Sequence, residues 1–92
     1  MLYLVAYDIA NPRRLRRVAH LCEDYGVRME KSVFECDVTD AQMAQLWGRL
    51  SDLVDEEDDR VFAYRIGTVE RRNIRRLGRS PDAPDAAGIL VL

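Results

Sequence analysis

The run Leu2-Tyr3-Leu4-Val5-Ala6-Tyr7 contains no charged residue and no polar–apolar alternation, and it ends on a carboxylate, Asp8. Strand formers in this pattern suit a central strand, covered by helices on one face and closely packed on the other. The run is too short to cross a bilayer, since Asp8 breaks it. No basic region precedes it and no small-residue cleavage site follows, so it does not read as a secretory signal. A carboxylate delivered by a buried strand is rigidly held, which makes Asp8 the first group placed for chemistry.

The elements that follow can be read in order. Asn11-Pro12 opens a helix, with Asn as N-cap and Pro at the first helical position. Leu15, Val18, Ala19, Cys22 and Tyr25 give that helix one apolar stripe, and Gly26 supplies its stop. From Val27 to Val38 the chain is strand-like, but the apolar parity changes partway, which requires a bulge or a tight hairpin near Lys31-Ser32. Thr39 with Gln42 forms a capping box for a second helix, whose stripe is Met43, Leu46, Trp47, Leu50, Leu53 and Val54. Arg60 to Gly67 is a further strand, with Val61, Ala63 and Arg65 opposite Phe62, Tyr64 and Ile66. In Thr68 to Leu77 the apolar residues Val69, Ile74 and Leu77 are sparse among the arginines, and an outer strand is one reading of this ambiguous segment. Strand, helix, one or two strands, helix, strand gives an α+β domain: a ferredoxin-like split βαβ arrangement, with an antiparallel sheet and two helices on one face.

A chain of 92 residues makes one thin-cored domain, for which homodimerisation is a reasonable expectation. We expect the domain to span residues 1–79, and residues 80–92 to be a linker and a C-terminal strand. That strand, Gly88-Ile89-Leu90-Val91-Leu92, has nothing local to cover it and suits addition to the sheet of a second protomer. Two cysteines without a CxxC pair fit reduced, packed thiols in the cytoplasm.

The net charge of −2 hides strong segregation of charge. Acids crowd into Asp55-Glu56-Glu57-Asp58-Asp59, which reads as a solvated turn. Arginines crowd into Arg13, Arg14, Arg16 and Arg17, and again into Arg71, Arg72, Arg75, Arg76 and Arg79. Thirteen of the fourteen basic residues are Arg, whose planar fork binds phosphate oxygens in pairs. The first cluster falls at a helix start, where phosphate is already favoured, and only Glu70 offsets the second. Arg13, Arg14, Arg16, Arg71, Arg72, Arg75 and Arg76 are therefore expected to bind nucleic-acid backbone, whereas Arg17 reads as part of a solvated helix face. The chain shows no Ser-His-Asp set, no glycine-rich phosphate loop and no Cys/His metal spacing, and its single His20 falls on a polar helix face. One carboxylate is too little for octahedral Mg²⁺, so a metal site here needs Asp8 from two copies. Without that pairing, Asp8 is a turn or capping residue.

Tyr7-Asp8-Ile9, Arg13-Arg14-x-Arg16-Arg17-Val18 and Tyr25-Gly26-x-Arg28-Met29-x-Lys31-Ser32-Val33-Phe34-Glu35 occur in an order and spacing that resemble one family. It is the small CRISPR-associated spacer-acquisition proteins, the second of the two universal CRISPR adaptation proteins, usually described as endoribonucleases. The resemblance implies a homodimer with exchanged tail strands and Mg²⁺ held between two copies of Asp8. It implies a metal-dependent nuclease acting on RNA or DNA. It also implies a dimer that bridges the CRISPR integrase while holding the spacer precursor through its backbone. Members often carry Ser or Thr and Asp after the first strand, where this chain has Ala10-Asn11-Pro12. Two alternatives stand beside the enzyme: a non-catalytic architectural DNA-binding adaptor, and an unrelated ferredoxin-like RNA-binding module.

Overall fold

The structure, a computed structural model, describes residues 1–79. The expected linker and exchange strand, residues 80–92, lie outside the described residues. The elements are β1 (Leu2–Asp8), α1 (Pro12–Glu23), β2 (Val27–Glu30), β3 (Val33–Asp37), α2 (Asp40–Leu53), β4 (Arg60–Ile66) and a short α3 (Thr68–Arg72). The four strands form one sheet in the order β2-β3-β1-β4, every neighbour antiparallel. This is the split βαβ arrangement, with β1 central as its composition requires.

Local signals account for both long helices. Asn11 accepts from the amides of Arg13 and Arg14 at 2.9 and 3.0 Å, and Pro12 follows at the first helical position. Thr39 accepts from the Gln42 amide at 3.1 Å while Gln42 returns the bond to Thr39 at 2.9 Å, which closes the capping box. The parity change in residues 27–38 resolves into a β2–β3 hairpin whose register also slips between Arg28 and Glu30. Hairpin and bulge are both present.

Alternation along β1 sorts its side chains between two faces. Tyr3, Val5 and Tyr7 join Phe34 and Cys36 from β3, Val18, Ala19 and Cys22 from α1, and Met43, Leu46 and Leu50 from α2 in one core. Each large apolar side chain buried there contributes about 1.5–3 kcal/mol of transfer free energy. Tyr7 and Phe34 stack with ring centroids 6.2 Å apart, so both serve the core. Cys22 and Cys36 are buried and unpaired, and burial pushes their thiols up to about 12 and about 11. Gly26 runs so close to β3 that a Cβ there would sit 2.6 Å from Cys36 Sγ. Close approach is therefore what requires this glycine; the α1 cap itself falls at Asp24.

Three expectations change. Leu15 and Trp47, assigned to the apolar stripes, remain 37% and 41% exposed, because each sits at the margin of its helix's buried face. Thr68–Arg72 is helical and not an outer strand, with Gly67 as its extended N-cap. Asp59 does not belong to a solvated turn, since its side chain has no exposed surface.

Leu4, Ala6 and Asp8 lie on the second sheet face, registered against Tyr64, Phe62 and Arg60 of β4 on one side; across β3, Glu35 faces Leu4 and Val33 faces Ala6. Neither α1 nor α2 covers this face, because both pack on the other. Phe62 and Tyr64 stack at 6.4 Å and stay 46% and 59% exposed. No helix among the described residues is long and apolar enough to cross a membrane.

Candidate functional site

Asp8 sits where β1 leaves the sheet, exposed on the open face and directly across from Arg60, also exposed. Among the described residues neither side chain has an ion-pair partner, so the pair is available to a ligand. The next residue, Ile9, returns the chain to the core and is 8% exposed. The Ala10 amide then donates to Asp59 Oδ1 at 2.9 Å, and Asn11 caps α1. Asp8 is thus held by the β-ladder on one side and by a tethered turn on the other.

The tether is an ion pair. Asp59 accepts from Arg14 Nε at 2.8 Å and Arg14 Nη2 at 3.2 Å, and also from the Asp55 amide at 2.8 Å. The Arg14 guanidinium holds the Asp59 carboxyl well below the usual carboxylate range, and the same bond raises Arg14. Charge-assisted bonds to a shielded carboxylate are the strong kind.

The arginines expected to bind backbone therefore divide. Arg13 and Arg16 are exposed on the first turns of α1. Arg14 is committed to Asp59 and only 25% exposed. In the second cluster, Arg71 reaches Asp37 at 2.8 Å and Arg76 reaches Glu35 at 2.7 Å, so both are turned toward β3. Arg72 and Arg75 are exposed and have no acidic partner among the described residues. His20 is a surface residue, 81% exposed and 3.9 Å from Glu23.

No three His, Cys, Asp or Glu side chains among the described residues come together as a metal-binding group. One chain offers a hard cation the Asp8 carboxylate alone, so the donor set fits Mg²⁺ only where a second copy adds its own. Reading the sequence missed Asp59 and Arg60. Arg60 follows from antiparallel register once β4 is placed beside β1. Asp59 had one weak signal, its position as the last acid before a strand.

Comparison with known proteins bears on this geometry. Residues 1–74 match the family model described as CRISPR associated protein Cas2. The chain is 42% identical to the CRISPR-associated endoribonuclease Cas2 of Nitratidesulfovibrio vulgaris, over 100% of this chain and 94% of that protein. It is 38% identical to the CRISPR-associated endonuclease Cas2 of Halalkalibacterium halodurans, over 88% of this chain and 90% of that protein. The crystal structure of Streptococcus pyogenes Cas2 superposes with a TM-score of 0.75 at 42% identity, covering 85% of this chain and 100% of that one. An unrelated ferredoxin-like module is thereby set aside. With the matched region taking in β1 and its terminal Asp8, α1, the β2–β3 hairpin, α2 and β4, the chain belongs to the CRISPR-associated Cas2 family.

Proposed function

We propose that the chain works as a cytoplasmic homodimer whose two Asp8 carboxylates converge on one Mg²⁺, forming a metal-dependent endonuclease for RNA or DNA backbones. The observation that carries this is the contrast at the end of β1, where Asp8 is exposed and unpartnered while the nearby Asp59 is shielded and saturated. The open sheet face around Leu4, Ala6, Phe62 and Tyr64 is the apolar surface through which a second copy would bring its Asp8 close. When bound, the metal supplies Lewis acidity toward the scissile phosphate. Arg60 lies beside Asp8 and attracts a phosphate oxygen, while Arg13 and Arg16 grip neighbouring phosphates from the start of α1. Arg72 and Arg75 extend the same backbone contact. Purified protein should cleave RNA or DNA with added Mg²⁺, and Asp8→Asn should abolish this. Retained cleavage by the Asn variant would refute the role of Asp8.

That no three potential metal ligands come together among the described residues favours a second role, in which the dimer binds DNA backbone and bridges the CRISPR integrase without using its own chemistry. This architectural reading includes residues 80–92 as the linker and exchange strand. Here Asp8→Asn leaves spacer uptake in cells intact, whereas deletion of residues 88–92 impairs assembly. Loss of uptake in the Asn variant, with dimer and integrase complex intact, counts against it.

A further inference from the structure

Asp59 is the most heavily engaged side chain among the described residues. Its carboxylate has no exposed surface and accepts four bonds, from the Ala10 amide (2.9 Å), the Asp55 amide (2.8 Å), Arg14 Nε (2.8 Å) and Arg14 Nη2 (3.2 Å). These donors come from three places: the turn after β1, the first turn of α1 and the loop before β4. Ala10 lies two residues beyond Asp8, and Asp59 directly precedes Arg60, the register partner of Asp8. One carboxylate therefore ties together the backbone on both sides of the Asp8–Arg60 pair. A shielded charge is tolerated only when its lone pairs are filled, and a filled one fixes the groups that fill it. Because Arg14 neutralises Asp59, the tether adds no net negative charge to compete with Asp8 for a cation.

We propose that Asp59, through Arg14 and the Ala10 amide, is a positioning residue that sets where the Asp8 carboxylate points. The inference rests on Asp8 being the metal ligand. Loss of the tether leaves Asp8 on its strand but frees the turn behind it, so metal affinity falls while the fold persists. Partners that orient a metal ligand from behind typically change affinity about 10–100-fold when removed.

The test uses the full-length dimer with Mn²⁺ as the probe, titrated by calorimetry, and follows Ala10 amide exchange by NMR. Asp59→Asn keeps the shape and removes the charge, and Arg14→Gln removes the partner if the first variant folds poorly. Either is expected to speed Ala10 exchange and weaken Mn²⁺ binding about 10–100-fold, well below its melting temperature. Leu46→Val, a core change remote from the turn, lowers the melting temperature without moving the affinity. Affinity unchanged in Asp59→Asn and Arg14→Gln, when Asp8→Asn does weaken it, overturns the positioning role alone. Affinity unchanged in Asp8→Asn removes the metal-ligand reading, and the inference falls with it. An equal loss of affinity in Leu46→Val would show that the effect is general destabilisation, and would overturn it too.

Discussion

The two ends of β1 use their carboxylates in opposite ways. At the start of the strand, Asp37 takes the terminal ammonium of Met1 at 3.3 Å and Arg71 at 2.8 Å, while Asp40 takes the Tyr3 hydroxyl and Arg65. Both carboxyls are lowered by these bonds, chiefly the one from Arg71 for Asp37 and the one from Tyr3 for Asp40. At the far end Asp8 has no such partner among the described residues, and the shielded acid that precedes its register partner Arg60, Asp59, pairs instead with Arg14. One end is satisfied by its own chain. The other stays open, and the ion pair behind it leaves the Asp8 carboxylate unengaged.

Substitutions can break that contrast, and the largest effect belongs to the open end. Asp8→Asn should eliminate Mg²⁺-dependent cleavage while unfolding free energy stays within about 0.5 kcal/mol of wild type, as for other exposed sites. A large stability loss measured by denaturant would mean that Asp8 is structural. Phe34, 0% exposed, lies on β3 opposite Val5, midway between the two ends. Phe34→Ala should cost about 3–5 kcal/mol and weaken both ends together, which urea titration can follow alongside local exchange at Tyr3 and Ala10.

At the closed end, Asp40→Asn removes a charged acceptor for Tyr3 and Arg65. It should lower the melting temperature by a few degrees and leave cleavage unchanged; an activity loss would merge the two ends into one site. Acid provides a graded version. The carboxyls of Asp37, Asp40 and Asp59 are all lower in the folded chain than their ordinary value, so their contribution is complete above that value, about pH 4. It declines as pH falls toward the folded values. Melting temperature against pH should therefore hold near neutrality and drop below about pH 4, with Asp37→Asn flattening the drop.

The smallest effect separates the arginines. Arg16→Ala should lessen the dependence of log affinity on log salt by about 0.9 for duplex DNA, the value for one phosphate contact. Arg76, held by Glu35, should change that slope less.

Much of this was legible because the signals were local. Asn11-Pro12 and Thr39 with Gln42 cap helices through neighbours two or three residues away, and they do so in the structure. The parity change in residues 27–38 correctly demanded a hairpin or bulge, and Asp8 could be placed because a strand end is a position along the chain. What stayed hidden depends on contacts between distant residues. Asp59 looks like its acidic neighbours until Arg14, 45 positions earlier, is brought beside it. Arg71 and Arg76 look equivalent to Arg72 and Arg75 until β3 supplies Asp37 and Glu35. Trp47 satisfied the helical spacing, yet spacing does not say how wide the covered stripe is, and it lies outside.

The two buried thiols have a practical use. With Cys22 and Cys36 pushed up to about 12 and about 11 and fully enclosed, almost none is thiolate at neutral pH, and the thiolate is the form that alkylating reagents attack. These are the only cysteines of the chain. A cysteine introduced at exposed position 16 would therefore take a maleimide dye or spin label selectively, without first stripping the native pair. The folded chain comes ready for single-site labelling on the face expected to meet DNA.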